Sequence, residues 1–460
     1  MEFEDTPTEA TFRAEARAFL DAHAPRRSGD DLSWTKGLLS LDPAEEEAYR
    51  DRCRAWQRTL FDNGWAGITW PKQYGGRGAT TVESMIFNQE AANYAATSGF
   101  IAAALQLVGP PILAYGTDEQ KQRYIPPLLR GDELWCQLFS EPGAGSDLAG
   151  LNAKAEKDGD EWIVNGQKVW TSGGHVADLG MLIARTDPDQ PKHAGITYFV
   201  IEMRQPGVEV VPLREMTGRA LFNEVFLTDA RVGDDTMIGG YNNGWRVANT
   251  TLMFERSSLG AGGGSAAASL ASPGQIAGDL GKRAGDFVAT GGRRGGGGGT
   301  LFGASAKGLI QLAKANGKAA DPTLRQKLME LHTIGEVARF NNLRLKAAMQ
   351  AGKDIPGLPN ISKLLMSNTV RLSRDVGLAI AGGYGTLHAY DPESRKELDE
   401  ATGLPFQSGI TEMSLFAQGP PIYGGTDQVQ RNIIGERVLG LPKEPGFDKG
   451  TPFKDLPKNG

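Results

Sequence analysis

Cysteine and histidine are scarce in this 460-residue chain: Cys53 and Cys136 are its only cysteines, and its histidines number five. Two cysteines cannot build a disulfide framework, and no Cys/His group has the close spacing of a zinc site. Both thiols are expected to be partly buried and reduced. Basic residues are in the minority, with 49 Lys and Arg against 55 Asp and Glu and a net charge of -6. Without a clustered surplus of lysine and arginine nothing can neutralise a phosphate backbone, which argues against nucleic acid as a partner. Long apolar runs are missing as well. The most apolar stretch, 100–115, is interrupted by Gly109-Pro110-Pro111, and no run reaches the roughly 18 residues of a membrane span. The chain opens Met-Glu-Phe-Glu-Asp, acidic where a secretory signal would be basic. A cytoplasmic enzyme without a membrane span is expected.

What is present divides by its hydrophobic period. Residues 1–131 read as a helical domain. Pro43 behind Asp42 suits a first helical turn, Tyr49, Trp56 and Leu60 follow at helical spacing, and Asn63-Gly64 stops the run. Thr117 with Gln120 three residues on makes a capping box. Further helices are expected over Thr81 to Ala95 and Phe100 to Ala114.

Residues 132–235 change to short β-rich runs. Glu161 to Val164 lies between Asp158-Gly159 and Asn165-Gly166, both turn signals, and 181–183, 196–201 and 208–211 follow. Such a series closes into a small barrel or sandwich. Residues 236–460 return to helix, with Leu324, Leu328, Leu331, Ile334 and Val337 at helical spacing, then Ile361, Leu364, Leu365, Leu372 and Val376 after Pro359-Asn360. The fold class is mainly α with a central β domain. A Gly-rich insertion at about 260–300 has too little apolar surface to offset its ordering entropy. A nucleotide cradle is disfavoured there, since no strand precedes it and no Gly-Lys-Ser/Thr ends it.

The chemistry concentrates in Gln137 to Asp147 and Lys168 to Ser172. Glycines allow backbone N–H groups to approach a pyrophosphate, hydroxyls complete its hydrogen bonds, and an indole packs on a flat heterocycle. A flavin fits best.

With Gly67 to Gly76, Tyr115 to Leu129, Ser140 to Asp147, Asn165 to Trp170, Gly382 to Gly385 and Tyr423 to Arg437 in this order, the chain resembles the acyl-CoA dehydrogenases along nearly its whole length. That resemblance implies an N-terminal helical domain, a middle β domain and a C-terminal four-helix bundle. It also implies FAD, an acyl-CoA substrate and α,β-dehydrogenation, with an electron-transfer flavoprotein as acceptor and a homodimer, homotetramer or heterotetramer as assembly. Carried over by position, Phe139, Ser140, Gly145 and Ser146 line the flavin and its pyrophosphate, and Trp170, Thr171 and Ser172 flank the ring. Thr426 and Gln428 contact the cofactor from the C-terminal domain, and Ser146 and Arg256 contact the substrate.

The commonest version of the family has a glutamate base directly after the tyrosine of the Tyr423 motif, where this chain has Gly424. Thr250 to Arg256 resembles the arrangement of isovaleryl-CoA and long-chain acyl-CoA dehydrogenases, which makes Glu255 the candidate base. Three further positions depart from the family pattern. The arginine expected before Leu301-Phe302-Gly303 is missing, Ala379 stands for a glutamine, and Met253 for an aspartate. Two other readings therefore remain: a non-catalytic structural subunit of a hetero-oligomer, and an acyl-CoA oxidase or flavin monooxygenase of the same fold.

Overall fold

The computed structural model describes residues 5–26, 43–260, 306–353, 355–404, 407–443 and 450–457. The Gly-rich stretch beyond 260 and Leu301-Phe302-Gly303 lie outside the described residues. Contacts separate the chain into two compact units, one of residues 53–77, 98–255 and 440–460, the other of 1–52, 78–97 and 256–439.

The first unit carries one mixed sheet: β1 (Trp135–Leu138), β2 (Lys154–Asp158), β3 (Glu161–Lys168), β4 (Leu179–Arg185), β5 (Ile196–Glu202), β6 (Val208–Leu213) and β7 (Phe222–Gly233). The order is β1-β4-β2-β3-β7-β6, with β5 paired to β4. All seven residues of β4 are buried, because its two faces feed two different cores. Leu179, Met181 and Ile183 pack with Ile112, Ile125 and Leu128 of the preceding helices, while Leu182 and Ala184 pack inside the sheet with Trp162, Phe199 and Val225. A strand covered on both faces reads as a continuous apolar run rather than an alternation.

Local signals act as their chemistry requires. Thr117 and Gln120 form the reciprocal capping box of the helix Asp118–Arg130, and the Gln120 amide also donates to the carbonyls of Asp235 and Met237 at 2.7 and 2.9 Å. Asp158-Gly159 turns the β2–β3 hairpin. Asn165-Gly166 does not turn the chain. Strand β3 runs through it with a register shift against β7 between Val164 and Gly166. Gly166 is needed there because a Cβ would meet the Ala153 backbone at 2.6 Å, so the dipeptide makes a bulge. The helix expected over Phe100 to Ala114 spans Phe100–Tyr115 and runs through Pro110 and Pro111; a Cβ on Gly109 would run into the Trp70 ring. The helix expected to reach Ala95 ends at Ala91. Strands β1, β2 and β7 lie outside the runs legible in sequence.

In the second unit the helices Pro7–His23 and Thr81–Ala91 are joined by buried charge, Arg13 donating to Glu90 and Gln89 at 3.0 and 2.7 Å. Leu309, Leu312, Leu324, Leu328, Leu331, Val376, Ile380 and Ile410 form the core of its bundle. The periodicity that predicts the helix Pro322–Gln350 buries Leu324, Leu328 and Leu331 but leaves Val337 exposed, and Leu343 is buried again near the end of the helix. In Leu358–Ala381 the inward face is partly polar, with Lys363, Ser367 and Ser373 buried while Ile361 is exposed.

Candidate active site

β1 delivers the chain into Phe139–Asp147. Glu141 and Ala144 exchange two backbone hydrogen bonds of 3.0 Å, a tight turn beyond which Gly145, Ser146 and Asp147 lie exposed. A Cβ on Gly145 would meet no atom within 4 Å. The surrounding protein does not demand glycine here, which suits close approach of a ligand to the backbone. Ser140 is half-buried. The Phe139 side chain belongs to the core, edge-on to Tyr198 at 6.0 Å between ring centroids.

The base of this loop is held by a buried ion pair. Lys168, at the end of β3, donates from Nζ to Glu141 Oε1 at 2.8 Å and to the Phe139 carbonyl at 3.1 Å. The Glu141 carboxylate also accepts from the backbone N–H groups of Asn152 and Ala153 at 2.6 and 2.9 Å. Burial pushes the Lys168 pKa down and Glu141 opposes the shift. Every partner is a hydrogen-bonding one, the condition under which such a pair persists in a core.

One residue further, Val169 donates its N–H to the Ser140 carbonyl at 2.9 Å, tying the loop to Trp170–Ser172. Trp170 has φ 61 and is 56% exposed. A bulky residue in the left-handed region is strained. The strain is held from both sides, because Thr171 and Asn223 exchange backbone hydrogen bonds of 3.0 Å and the Asn223 amide donates to the Thr171 carbonyl at 2.9 Å. The Trp170 indole stands edge-on to Phe222 at 5.7 Å. Thr171 is fully buried, and its hydroxyl has no hydrogen-bond partner among the described residues; Ser172 is exposed. An indole offered to the surface, a small-residue turn open to approach and a hydroxyl with unused capacity fit a planar heterocycle carrying phosphates.

Glu255 lies on the helix Gly244–Gly260 and is half-buried. Ala248 and Thr251, seven and four residues before it, are fully buried, whereas Met253 and Phe254 are exposed. Arg256 follows on the same helix.

Thr426 and Gln428 belong to the other unit. The Thr426 hydroxyl accepts from Val429 N–H at 3.1 Å and caps the helix Asp427–Ile433, and Gln428 is exposed. Gly424 and Gly425 have φ 64 and 77. Their carbonyls accept from the Gln430 amide at 2.9 and 3.3 Å, and Asn360 donates to Gln430 at 2.7 Å. Asp427 is buried between Lys363 and Arg371, at 3.1 and 3.0 Å.

Sequence reasoning gave no role to Glu141, Lys168 or Gln430, although all three lie in segments it singled out, and it did not single out Asn223. A signal existed for Lys168, a lysine ending a strand whose Trp162 and Val164 face the core; no local pattern marks the others. Both cysteines are buried and neither takes part in a disulfide among the described residues; burial pushes the Cys136 thiol up to about 12. Among the described residues no group of His, Cys, Asp and Glu could hold a metal ion, and no helix is long and apolar enough to cross a membrane.

Helices packed on a mixed sheet, with a strained tryptophan beside a small-residue turn, are the architecture to which the comparisons with known proteins give a class. Profiles of the acyl-CoA dehydrogenase N-terminal, middle and C-terminal domains match residues 6–132, 136–230 and 305–439. The chain belongs to the acyl-CoA dehydrogenase family, oxidoreductases acting on the CH–CH bond of acyl-CoA. It is 36% identical over 434 residues to the acyl-CoA dehydrogenase IpdE1 of Mycobacterium tuberculosis, an alignment covering 94% of this chain and 98% of that protein. Among solved structures it is similar to the Tcur3481-Tcur3483 steroid ACAD, with TM-score 0.69, 26% identity and coverage of 96% and 100%. It is also similar to the ChsE4-ChsE5 complex from Mycobacterium tuberculosis, with TM-score 0.65, 29% identity and the same coverage.

Proposed function

We propose that this chain uses FAD to dehydrogenate a bulky acyl-CoA thioester to its 2-enoyl-CoA, with Glu255 as the base that removes the α proton. The observation that carries the assignment is the burial pattern around Glu255. A surface carboxylate would sit with Met253 and Phe254; Glu255 instead continues the face of Ala248 and Thr251. Gly424, where the family most often has its glutamate, offers no side chain for the same task.

Bulk in the acyl group is supported by that glycine and by the likeness to a steroid ACAD. A carboxylate shielded by the acyl chain loses hydration and becomes a stronger base, matched to a carbon acidified by the thioester carbonyl. Gly145, Ser146 and the backbone of Phe139 and Ser140 would hold the cofactor's phosphate side, and Trp170, Thr171 and Ser172 its ring. A bound flavin would supply the hydride acceptor for the β carbon. Thr426 and Gln428 are assigned to the same cofactor, Ser146 and Arg256 to the CoA thioester, and an electron-transfer flavoprotein to the acceptor role, on family resemblance alone.

The test is E255Q. Solvent deuterium should no longer enter the α position of a saturated acyl-CoA, while FAD content stays at the wild-type level; retained exchange sinks Glu255 as base. A second reading, a structural subunit that lends its fold to an active partner, is favoured by two relatives whose names join two components. A wild-type chain that binds FAD by itself and bleaches with acyl-CoA decides against it.

A further inference from the structure

Segment 450–457 is strapped onto the turn between β4 and β5. Phe453 and Lys454 donate backbone N–H groups to the carbonyls of Gln190 and Pro188 at 2.9 and 3.0 Å, and Lys454 Nζ pairs with Asp189 at 2.6 Å. Beside this strap Arg185, the last residue of β4, is 4% exposed. Its Nη1 donates to the Lys192 carbonyl at 2.6 Å, and its Nη2 to those of Ala149 and Leu151 at 2.6 and 3.4 Å. The Phe453 ring covers it, with Cζ 3.7 Å from the ring centroid. Nε has no hydrogen-bond partner among the described residues.

A guanidinium buried without a carboxylate in direct contact is costly, so carbonyl dipoles and the ring face have to offset the lost hydration. Burial pushes its pKa down to about 10, with Glu141 and Asp147 opposing the shift; it is charged at neutral pH. The residues whose carbonyls it holds are tied to the Ser140–Asp147 loop by chain or by side chain. Ala149 and Leu151 lie in and just after the short turn Leu148–Gly150 that follows Asp147, and Lys192 is the residue whose Nζ reaches Asp147 at 3.1 Å. Lys168 clamps the amino end of the loop, and Arg185 and Lys192 clamp the carboxyl end.

We infer that Arg185 and Phe453 are positioning residues for the cofactor loop: the ring of Phe453 seats the guanidinium, and the guanidinium sets where Gly145 and Ser146 present their hydrogen-bonding groups. The inference rests on the reading that this loop holds the FAD phosphates. It gives segment 450–457 a task in positioning that loop.

The test compares wild type, F453A, F453Y and R185K as full-length chains, by amide hydrogen exchange without FAD and by FAD titration. F453A should speed exchange across 143–151 and weaken FAD about 3- to 30-fold, the range of a partly desolvated cation–π contact. F453Y keeps the ring and should behave as wild type, whereas R185K keeps the charge without the fork and should resemble F453A. Faster exchange confined to 450–457 and 187–192, with unchanged FAD affinity, overturns the inference and leaves a strap that serves the hairpin alone. If the wild-type chain binds no FAD while F453A still loosens 143–151, the positioning role stands and the flavin reading fails.

Discussion

Lys168 Nζ lies 2.8 Å from Glu141 Oε1, with both side chains closed off from solvent, and this pair supplies the charged link between the two segments that carry the candidate cofactor residues. It links the end of β3 to the turn after β1, two strands that are not neighbours in the sheet. Removing Lys168 alone would strand a carboxylate in the core. K168M is expected to lose about 3–5 kcal/mol of stability in urea unfolding. The double variant K168M/E141Q, in which no charge is stranded, should recover a measurable part of it. Equal losses in the single and double variants would show that packing rather than charge governs this junction.

Trp170 is held at φ 61 with more than half its surface exposed. Glycine there should relieve about 1 kcal/mol of backbone strain while giving up little buried area. The flavin-free W170G chain should therefore melt at or above the wild-type temperature, although a large aromatic has been deleted, and its flavin retention should fall. A W170G chain that melts lower would mean that the edge contact with Phe222 outweighs the strain.

Gln430 is fully buried and its amide serves both Gly424 and Gly425 carbonyls. Q430A would leave these acceptors and the Asn360 amide unsatisfied, at a cost of about 1–3 kcal/mol. Q430E should be worse, because its carboxylate would face the two carbonyls with no proton to donate at neutral pH. Thermal melts of the two variants at pH 7 rank them, and the order reverses if the site is wetter than it looks.

Glu215 closes its own turn, accepting from Leu221 N–H at 2.8 Å, and burial raises its pKa above the usual carboxylate value despite that bond. The native state thus holds this proton more tightly than the unfolded chain does. Its contribution is full below the unfolded pKa and is lost as pH rises through the folded one. E215Q keeps an acceptor without the titration, so its stability relative to wild type should increase from pH 4 to pH 8. A difference that stays flat across that range would place the carboxylate in water.

Much of the local structure is legible one turn at a time. Thr117 and Gln120 cap a helix because both partners lie within four residues, and Gly159 turns a hairpin for the same reason. The residue types that suit a flavin, small and hydroxylated in one segment and an indole with hydroxyls in the next, are also legible as two short runs. Gly166 shows the limit: an Asn-Gly dipeptide is a turn or a bulge according to what packs against it, and here Ala153 decides.

By itself, then, the sequence determined the family, the alternation of helical and β-rich stretches, and the candidates Glu255 and Trp170, because those rest on residue identity and short spacing. Only the tertiary structure decided that Trp170 is strained, that Glu255 shares a helix face with buried residues, and that Lys168 and Arg185 clamp the two ends of one loop. The physical reason is strand neighbourhood. Glu141 meets Lys168 and Arg185 meets Phe453 through the order in which strands pair and the path by which 450–457 returns to the sheet, and neither is encoded in any spacing along the chain.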